Sequence, residues 1–313
     1  MWFGSSRTLA VAGVLASTGG AVVGARNLLS GQAEQARSVI PKAWDIPPRA
    51  DGVYGPGGGP VRRWERGLDV GMHLMVFGDS TATGYGCRSA DEVPGALIAR
   101  GLAATTGRSV RLSTKAIVGA SSKGLASQVD AMLVAGPPPN AAVIMIGAND
   151  VTTRNGIGPS ARRLGSAVRR LRAGGTAVVV GTCPDFGWIT AIPQPLRWTA
   201  RSLGLRLAAA QAAETRAAGG VPVLLADLLT PDFLSDPERL FSEDHYHPSA
   251  DGYALAGSQL LTALCHALGM SVPESTWAQL PEGGAEATLL ARLNRLLRRR
   301  TGGVPVPAAL PAG

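Results

Sequence analysis

One serine and two histidines of this 313-residue chain have the surroundings that acyl-transfer chemistry requires. Ser80 ends a Gly-Asp-Ser triplet directly after an apolar run, and His245 and His247 lie in a polar segment before the last helical pattern. A serine hydroxyl is a weak nucleophile until an imidazole removes its proton, and that imidazole needs a carboxylate to hold its tautomer. The other two histidines, His73 and His266, fall in a strand pattern and an apolar helical pattern. The candidates for the base are therefore His245 and His247.

Each of these segments also has an interpretation without catalysis. Taken alone, the Gly-Asp-Ser triplet is a common turn, the pair Asn149-Asp150 caps a helix, and Asp244-x-x-His247 is a solvated loop. Their joint occurrence at the ends of predicted strands and before the last helix favours a serine hydrolase. We expect Asp79 and His245 to be structural residues rather than members of the catalytic group.

The sequence predicts neither a metal ion nor a cofactor. The spacing of His245 and His247 suits a metal, but no further His, Cys or paired carboxylate lies near them in the sequence. A G-x-S-x-G motif and a G-x-x-x-x-G-K-[ST] loop are both missing from the sequence, which disfavours the α/β-hydrolase fold proper and nucleotide triphosphatases. Lys123, beside Ser121 and Ser122, is an alternative catalytic partner, although we expect it to face solvent.

The elements that must position these residues alternate between strand and helix. Strand patterns occupy residues 73–77, 110–118, 141–146, 177–180 and 221–225, and helical patterns lie around 92–106, 122–135, 158–173, 196–218 and 249–268. This alternation predicts right-handed crossovers and a parallel sheet with helices on both faces. Ligands of such sheets bind at the carboxyl ends of the strands, where the polar clusters fall.

Four sequence blocks, in this order, resemble the GDSL, or SGNH, esterase and lipase family. They are Gly78-Asp79-Ser80, a glycine that we place at Gly119, Gly147-x-Asn149-Asp150, and Asp244-x-x-His247. The resemblance covers about residues 71–268, and the runs DGVYG and GDSTATGYG are similar to the exported actinobacterial branch of the family. It implies an α/β class, three-layer α/β/α, flavodoxin-like hydrolase fold with a central parallel sheet.

The same resemblance implies a role for each matched residue. Ser80 is the expected nucleophile, His247 the base and Asp244 the acid that orients it. The backbone N–H groups of Ser80 and Gly119 and the side-chain amide of Asn149 are the expected oxyanion hole. The implied activity is hydrolysis of carboxylic esters through an acyl-Ser80 intermediate.

An apolar, proline-bearing loop after the fourth predicted strand contains Trp188, Ile189 and Ile192. We expect these side chains to bind the acyl chain of the substrate, while aromatic packing beneath a surface loop remains an open alternative. The predicted substrate is a small-molecule or lipid ester with a short- to medium-length acyl chain. A lysophospholipase or thioesterase with the same site, and a non-catalytic ligand-binding protein of the cell envelope, are the alternatives.

The segments that flank the predicted hydrolase domain, residues 71–270, indicate export. In residues 1–30 we predict a signal peptide or membrane anchor, because 18 uncharged residues, Thr8 to Ala25, lie between Arg7 and Arg26. Residues 31–70 read as a Pro/Gly-rich linker. For residues 271–313 we predict a basic amphipathic helix, over 285–300, that binds a membrane surface or docks on the domain, and then a flexible tail. The expected location is the cell envelope, membrane-anchored, or outside the cell.

Composition argues against nucleic acid as a partner. The net charge is +8, but residues 71–270 contribute only +3 of it, and aromatic residues are 5% of the chain. A strand-binding surface needs a basic stripe interleaved with aromatic side chains, which this region lacks. The chain also has three cysteines, Cys87, Cys183 and Cys265, so at most one intramolecular disulfide can form.

Overall fold

Six strands form one sheet in the computed structural model, which describes residues 23–36, 38 and 46–270. The strands are β1 (Gly52–Tyr54), β2 (Met72–Gly78), β3 (Val110–Thr114), β4 (Ala141–Met145), β5 (Ala177–Gly181) and β6 (Val221–Val223). Their order across the sheet is β1-β3-β2-β4-β5-β6. β2 to β6 are parallel, while β1 is antiparallel to β3 at one edge. The sheet is thus the parallel type whose carboxyl ends meet along one side.

Helices precede, connect and follow the strands. They are α1 (residues 23–36), α2 (Ser80–Thr83), α3 (Pro94–Thr106), α4 (Leu125–Ala135), α5 (Ala148–Thr152), α6 (Ile157–Ala173), α7 (Leu196–Ala217), α8 (Leu225–Ser235), α9 (Pro237–Leu240) and α10 (Ala250–Ala267). Short 3-10 turns occupy Ala90–Glu92, Ser122–Gly124 and Phe186–Trp188.

Alternate side chains of the buried strands pack into two separate layers. On β4, Ala142 and Ile144 join a cluster with the apolar side of α4 and α6, whereas Val143 and Met145 join a cluster with α3, α8 and α10. The alternation follows from the two-residue repeat of a strand, which sends successive side chains to opposite faces. Both faces of the parallel strands are therefore covered, and the predicted three-layer α/β/α fold is confirmed.

The structure also corrects details of the predicted elements. Residues 31–70 were expected to be a linker, yet Gly52–Tyr54 form β1, whose backbone pairs with Val110–Leu112 of β3, and residues 31–36 continue helix α1. β3 ends at Thr114 and β6 at Val223, earlier than the apolar runs indicated. The structure adds α2, α5, α8 and α9 to the predicted helices. Residues 1–22 and 271–313, with the predicted leader or anchor and the basic helix, lie outside the described residues.

Two further observations concern the same described ranges. Their helices are all too short or too polar to cross a bilayer. Cys87, Cys183 and Cys265 are all present as free thiols, the last two of them buried.

Candidate active site

Ser80 lies on a sharp turn between β2 and α2. At Gly78, the last residue of β2, φ is +137°, and a Cβ atom there would lie 1.8 Å from the carbonyl oxygen of Met145. Only glycine fits this approach. Asp79 follows as the N-cap of α2, and its carboxylate accepts hydrogen bonds from the backbone N–H groups of Thr81 (3.0 Å) and Gly147 (3.3 Å). Asp79 thus ties the nucleophile loop to the loop after β4, which is the structural role expected for it.

His247 and Asp244 lie on one short loop between α9 and α10. A bridge between Phe241 and Pro248 closes the base of this loop, and the N–H of Ser242 donates to the carbonyl oxygen of His247 at 2.8 Å. Inside the loop, Asp244 Oδ1 accepts hydrogen bonds from Ser242 Oγ (2.8 Å) and from the backbone N–H groups of Tyr246 (2.9 Å) and His247 (2.8 Å). The carboxylate is therefore fixed by its own loop.

The structure brings Ser80, His247 and Asp244 into one hydrogen-bonded chain. Asp244 Oδ2 lies 2.6 Å from His247 Nδ1, and His247 Nε2 lies 2.9 Å from Ser80 Oγ. A bond from Nδ1–H to the carboxylate leaves Nε2 as the proton acceptor that faces the serine hydroxyl. Ser80 and His247 are both buried, and the imidazole contacts the rings of Tyr85 and Tyr246, with centroids at 4.4 and 4.9 Å.

The pKa values of Asp244, in this hydrogen-bonded chain, and Asp79, near it, are shifted in opposite directions. For Asp244, burial raises the pKa, but hydrogen bonds from the imidazole and backbone of His247, its charge, and the backbone N–H of Tyr246 outweigh burial and lower the pKa to about 2. For Asp79, burial dominates and raises the pKa to about 6 despite its two backbone hydrogen bonds. Asp244 is thus ionised at neutral pH and suited to stabilise an imidazolium.

Gly119 and Asn149 lie on neighbouring loops at the same edge of the sheet. Gly119 is the third residue of a turn closed by a 3.0 Å hydrogen bond from the N–H of Ala120 to the carbonyl oxygen of Ile117, and its φ is +79°. Asn149 Nδ2 donates to the carbonyl oxygen of Ala120 at 2.9 Å. Because an amide group has two N–H donors, this bond fixes the Asn149 side chain and leaves the second donor for another acceptor.

Three buried side chains hold these loops, and two of them, Gln128 and Gln211, were not among the residues considered in the sequence analysis. Gln128 pairs with both backbone groups of Gly78, at 2.9 and 2.8 Å, and Gln211 joins the carbonyl oxygen of Ile146 to the N–H of Cys183, at 2.8 and 2.7 Å. Asp150 accepts hydrogen bonds from the N–H and Oγ of Ser122 and from Ser160 Oγ, at 2.9, 2.7 and 2.9 Å. The only sequence signal for a structural role of Gln128 and Gln211 was that each is a polar residue within an apolar helical pattern.

An apolar cavity of about 60 Å³ opens beside the hydrogen-bonded chain. Its lining includes His247 and Asp79 at one side and Trp188, Ile189 and Phe233 among the apolar residues. Trp188 also packs on Phe233, with centroids 4.0 Å apart, as the alternative of aromatic packing requires, and its binding of an acyl chain stays a prediction. Ile192 differs from the prediction because it is buried in the core and does not line the cavity.

The remaining candidates of the sequence lie apart from this geometry. His245 is exposed at the tip of the loop, with φ +51°, and Lys123 is exposed on the Ser122–Gly124 turn. Across residues 23–36, 38 and 46–270, the structure shows no group of three or more His, Cys, Asp or Glu side chains arranged to hold a metal ion.

Solved structures with the same fold include two bacterial hydrolases. A lipase/acylhydrolase from Enterococcus faecalis superposes with a TM-score of 0.51 and 22% identity, over 64% of this chain and 98% of that one. A mutant of Axe2, an acetyl-xylooligosaccharide esterase from Geobacillus, superposes with a TM-score of 0.50 and 17% identity, over 63% of this chain and 95% of that one. At these identities the similarity shows the fold.

Sequence comparison is more specific. Residues 76–255 match the GDSL-like lipase/acylhydrolase family. The chain is also 60% identical to the GDSL-like esterase Rv1075c of Mycobacterium tuberculosis, over 99% of this chain and 98% of that protein. The family match, over residues 76–255, includes the blocks that contain Ser80, Asn149 and His247. The chain belongs to the GDSL-like lipase/acylhydrolase family and is a carboxylic ester hydrolase.

Proposed function

We propose that the chain is a serine esterase in which Ser80, His247 and Asp244 form the catalytic triad. The observation that carries this proposal is the continuous hydrogen bonding from Asp244 through His247 to Ser80, at 2.6 and 2.9 Å. Ser80 and His247 are 167 residues apart in the sequence, so only the folded sheet and the α9–α10 loop bring them together.

In the proposed mechanism, Ser80 Oγ attacks the acyl carbon while His247 Nε2 takes the hydroxyl proton. Asp244 stabilises the imidazolium that forms. The C–O bond to the leaving alcohol then breaks, and His247 returns the proton to that alcohol, which leaves acyl-Ser80. A water molecule attacks the acyl group by the same route, with His247 again as the base, and releases the acid and free Ser80.

The negative oxygen of each tetrahedral intermediate requires donors that are fixed before the reaction. We assign this role to the backbone N–H groups of Ser80 and Gly119 and to the second N–H of Asn149 Nδ2. In support, the hydrogen bonds of the described residues do not use the N–H of Ser80 or Gly119, and the bond from Asn149 to Ala120 holds the amide in place. One such donor contributes about 3 kcal/mol to the barrier reduction in other enzymes.

The shape of the cavity supports short- to medium-chain acyl esters, with preference for the shorter ones. A water molecule needs roughly 10–15 Å³ of this kind of space, so a cavity of about 60 Å³ accepts an acyl group of a few carbon atoms. Trp188 and Ile189 form part of its wall. A long acyl chain, as in a lysophospholipid, would have to extend out of this volume, whereas a short acyl group from a thioester or an oxygen ester is accommodated within it.

The test is hydrolysis of p-nitrophenyl esters from acetate to palmitate by the wild type and by Ser80→Ala and His247→Asn. We expect kcat to fall by roughly 10⁴-fold or more in both variants, as in other serine triads. We also expect wild-type kcat/KM to decrease with acyl length, and a fluorophosphonate probe to label Ser80.

His245→Asn is the matched control, because His245 lies two residues from His247 on the same loop and asparagine tolerates its positive φ. It should keep near wild-type activity. Circular dichroism should show that all variants are folded. A wild-type kcat in folded Ser80→Ala would exclude Ser80 as the nucleophile. Equal losses of kcat in His245→Asn and His247→Asn would exclude His247 as the specific base.

We also propose that the protein is exported and associated with the cell envelope. The uncharged segment from Thr8 to Ala25 between two arginines supports this location. Cell fractionation, with N-terminal sequencing of the recovered protein, tests it. Recovery of the intact chain from the cytosol alone would contradict the proposal.

A further inference from the structure

One face of helix α1 rests against the domain. Leu29, Gln32 and Ala33 are partly buried and Ala36 is 6% exposed, while the other residues described in this helix are exposed. These positions follow the i, i+3, i+4, i+7 spacing of a single helical stripe. The helix therefore contacts the domain along a defined face that has a polar residue, Gln32, at its centre.

Gln32 uses both ends of its side-chain amide in this contact. Its Nε2 donates to the carbonyl oxygen of Gln194, and its Oε1 accepts a hydrogen bond from the N–H of Leu196 at 3.0 Å. Leu196 is the first residue of α7, where backbone N–H groups have no acceptor within the helix. The N-cap of α7 is Pro195, which has no side-chain acceptor to offer. Gln32 therefore supplies part of the cap of α7 from a distant element of the chain.

The backbone groups that Gln32 holds end the loop that forms one wall of the acyl cavity. This loop begins at the Phe186–Trp188 turn, continues through Ile189, and reaches α7 at Leu196. Trp188 and Ile189 line the cavity beside His247. The contact with Gln32 thus lies at Leu196, seven positions along the chain from Ile189 in the cavity wall.

Glutamine amides hold two other loops of the site in the same manner. Gln128 pairs with the N–H and the carbonyl oxygen of Gly78 beside the nucleophile, and Gln211 joins the ends of β4 and β5. In all three cases one amide satisfies a backbone donor and a backbone acceptor of a rim loop. Gln32 differs because its helix precedes the sheet and belongs to the segment predicted to be a leader and linker.

We propose that Gln32 is a positioning residue for the acyl-binding wall, so that docking of α1 sets the acyl-chain selectivity of the enzyme. This proposal rests on the esterase function proposed above. Gln32 does not touch the reacting atoms and acts only through the backbone of Gln194 and Leu196.

The first test compares Gln32→Leu with Gln35→Leu, which makes the same change at an exposed position of the same helix. We expect Gln32→Leu to change the ratio of kcat/KM between acetyl and octanoyl esters by about threefold to tenfold, the range given by the loss of one or two hydrogen bonds. The change should appear mainly in KM, and Gln35→Leu should match the wild type. Gln32→Glu keeps the acceptor for the N–H of Leu196. Its ratio of kcat/KM between acetyl and octanoyl esters should therefore lie between those of the wild type and Gln32→Leu.

The second test uses hydrogen–deuterium exchange of the peptide that contains residues 189–198, with active sites counted by fluorophosphonate. Faster exchange in Gln32→Leu, but not in Gln35→Leu, is expected. Unchanged exchange would overturn the docking contact whether or not the wild type hydrolyses esters. Faster exchange with unchanged acyl selectivity would overturn the positioning role. A wild type without esterase activity but with the expected exchange would instead contradict the proposed function and leave the docking contact established.

Discussion

At the scale of single residues, the site contains two carboxylates with opposite environments. The hydrogen bonds and charge of His247 and the backbone hydrogen bond of Tyr246 keep the pKa of Asp244 at about 2 despite burial. Asp79 is 1% exposed and has two backbone hydrogen bonds, and burial raises its pKa to about 6. The difference separates a carboxylate suited to support an imidazolium from one that holds two loops together, and it gives Asp79 a measurable effect on stability.

We predict that Asp79 makes the folded protein less stable as the pH rises. Its folded-state pKa of about 6 lies above the ordinary value of 3.8, so between these two pH values the folded state binds a proton that the unfolded state lacks. The resulting stabilisation is full below pH 3.8 and is lost as the pH rises through 6. Between pH 5 and pH 8, urea unfolding should show that the wild type loses about 1 kcal/mol relative to Asp79→Asn. Asp227→Asn, at an exposed position, is the control. If the difference in unfolding free energy between the wild type and Asp79→Asn did not change with pH, the raised pKa of Asp79 would be contradicted.

The sequence predicted which residues to propose for the triad, but not which side chains hold their loops in place. Ser80, Asp244 and His247 could be proposed because their types and order resemble a known family. Gln128 and Gln211 could not, because a glutamine in a helical pattern gives no sign of which backbone groups it meets across the fold. Ile192 shows the same limit, since its apolar character fits a cavity wall and a core equally well.

At the scale of elements, glycines decide how closely the rim loops approach each other. Gly78 brings the end of β2 against the backbone of Met145, and Gly119 completes the turn whose N–H we assign to the oxyanion hole. Both have positive φ, at +137° and +79°. Their surroundings differ, because a Cβ at Gly119 would meet no atom within 4 Å.

We therefore predict different results for the same substitution at these two turns. Gly78→Ala should fail to give the native fold, because its Cβ would overlap the carbonyl oxygen of Met145. Gly119→Ala should fold with a loss of about 1 kcal/mol, the usual cost of a non-glycine residue with this backbone conformation. Soluble yield and urea unfolding measure both effects. Similar losses in the two variants would contradict this account of the nucleophile turn.

The longer elements could be predicted from the periodicity of their sequences. The short ones could not, because they form only through contacts with distant parts of the chain. β2 to β6 and helices such as α6 and α10 match the predicted patterns to within a few residues. β1 has only three residues in a Pro/Gly-rich context, and its partner Val110–Leu112 lies more than fifty residues away. α8 follows β6 after a single residue within one continuous apolar run and contains Pro231, so neither its start nor its helical character was evident.

At the scale of the whole molecule, residues 50–54, which precede the predicted hydrolase domain, belong to the folded domain. Tyr54 of β1 is 1% exposed, and its hydroxyl donates to the carbonyl oxygen of Ala50 at 2.6 Å. Asp51 accepts a hydrogen bond from the N–H of Thr114 at 2.8 Å, and the guanidinium of Arg100 lies 5.2 Å from the centre of the Tyr54 ring. β1 thereby covers the edge of β3, which would otherwise expose unpaired backbone groups.

We predict that a chain truncated to begin at residue 71 is less soluble and less stable than one that begins at residue 46. The first loses β1 and the buried Tyr54 side chain, and removal of a buried aromatic side chain alone costs about 3–5 kcal/mol. Thermal unfolding and size-exclusion chromatography measure stability and aggregation. Equal melting temperatures and monomer fractions would show that β1 is dispensable. The longer chain also lacks α1, so its acyl selectivity should resemble that of Gln32→Leu.

The placement of the proposed acid and base, Asp244 and His247, on one closed loop has a consequence for how activity would be lost. Asp244 and His247 are three residues apart and joined by bonds within their loop, whereas the bond from His247 to Ser80 spans 167 residues and depends on tertiary packing. Slight loosening of the α9–α10 loop should therefore separate Ser80 from His247 before it breaks the contact between His247 and Asp244 or unfolds most helices. Turnover is therefore a more sensitive reporter of packing than circular dichroism, and on mild denaturation inactivation should precede unfolding.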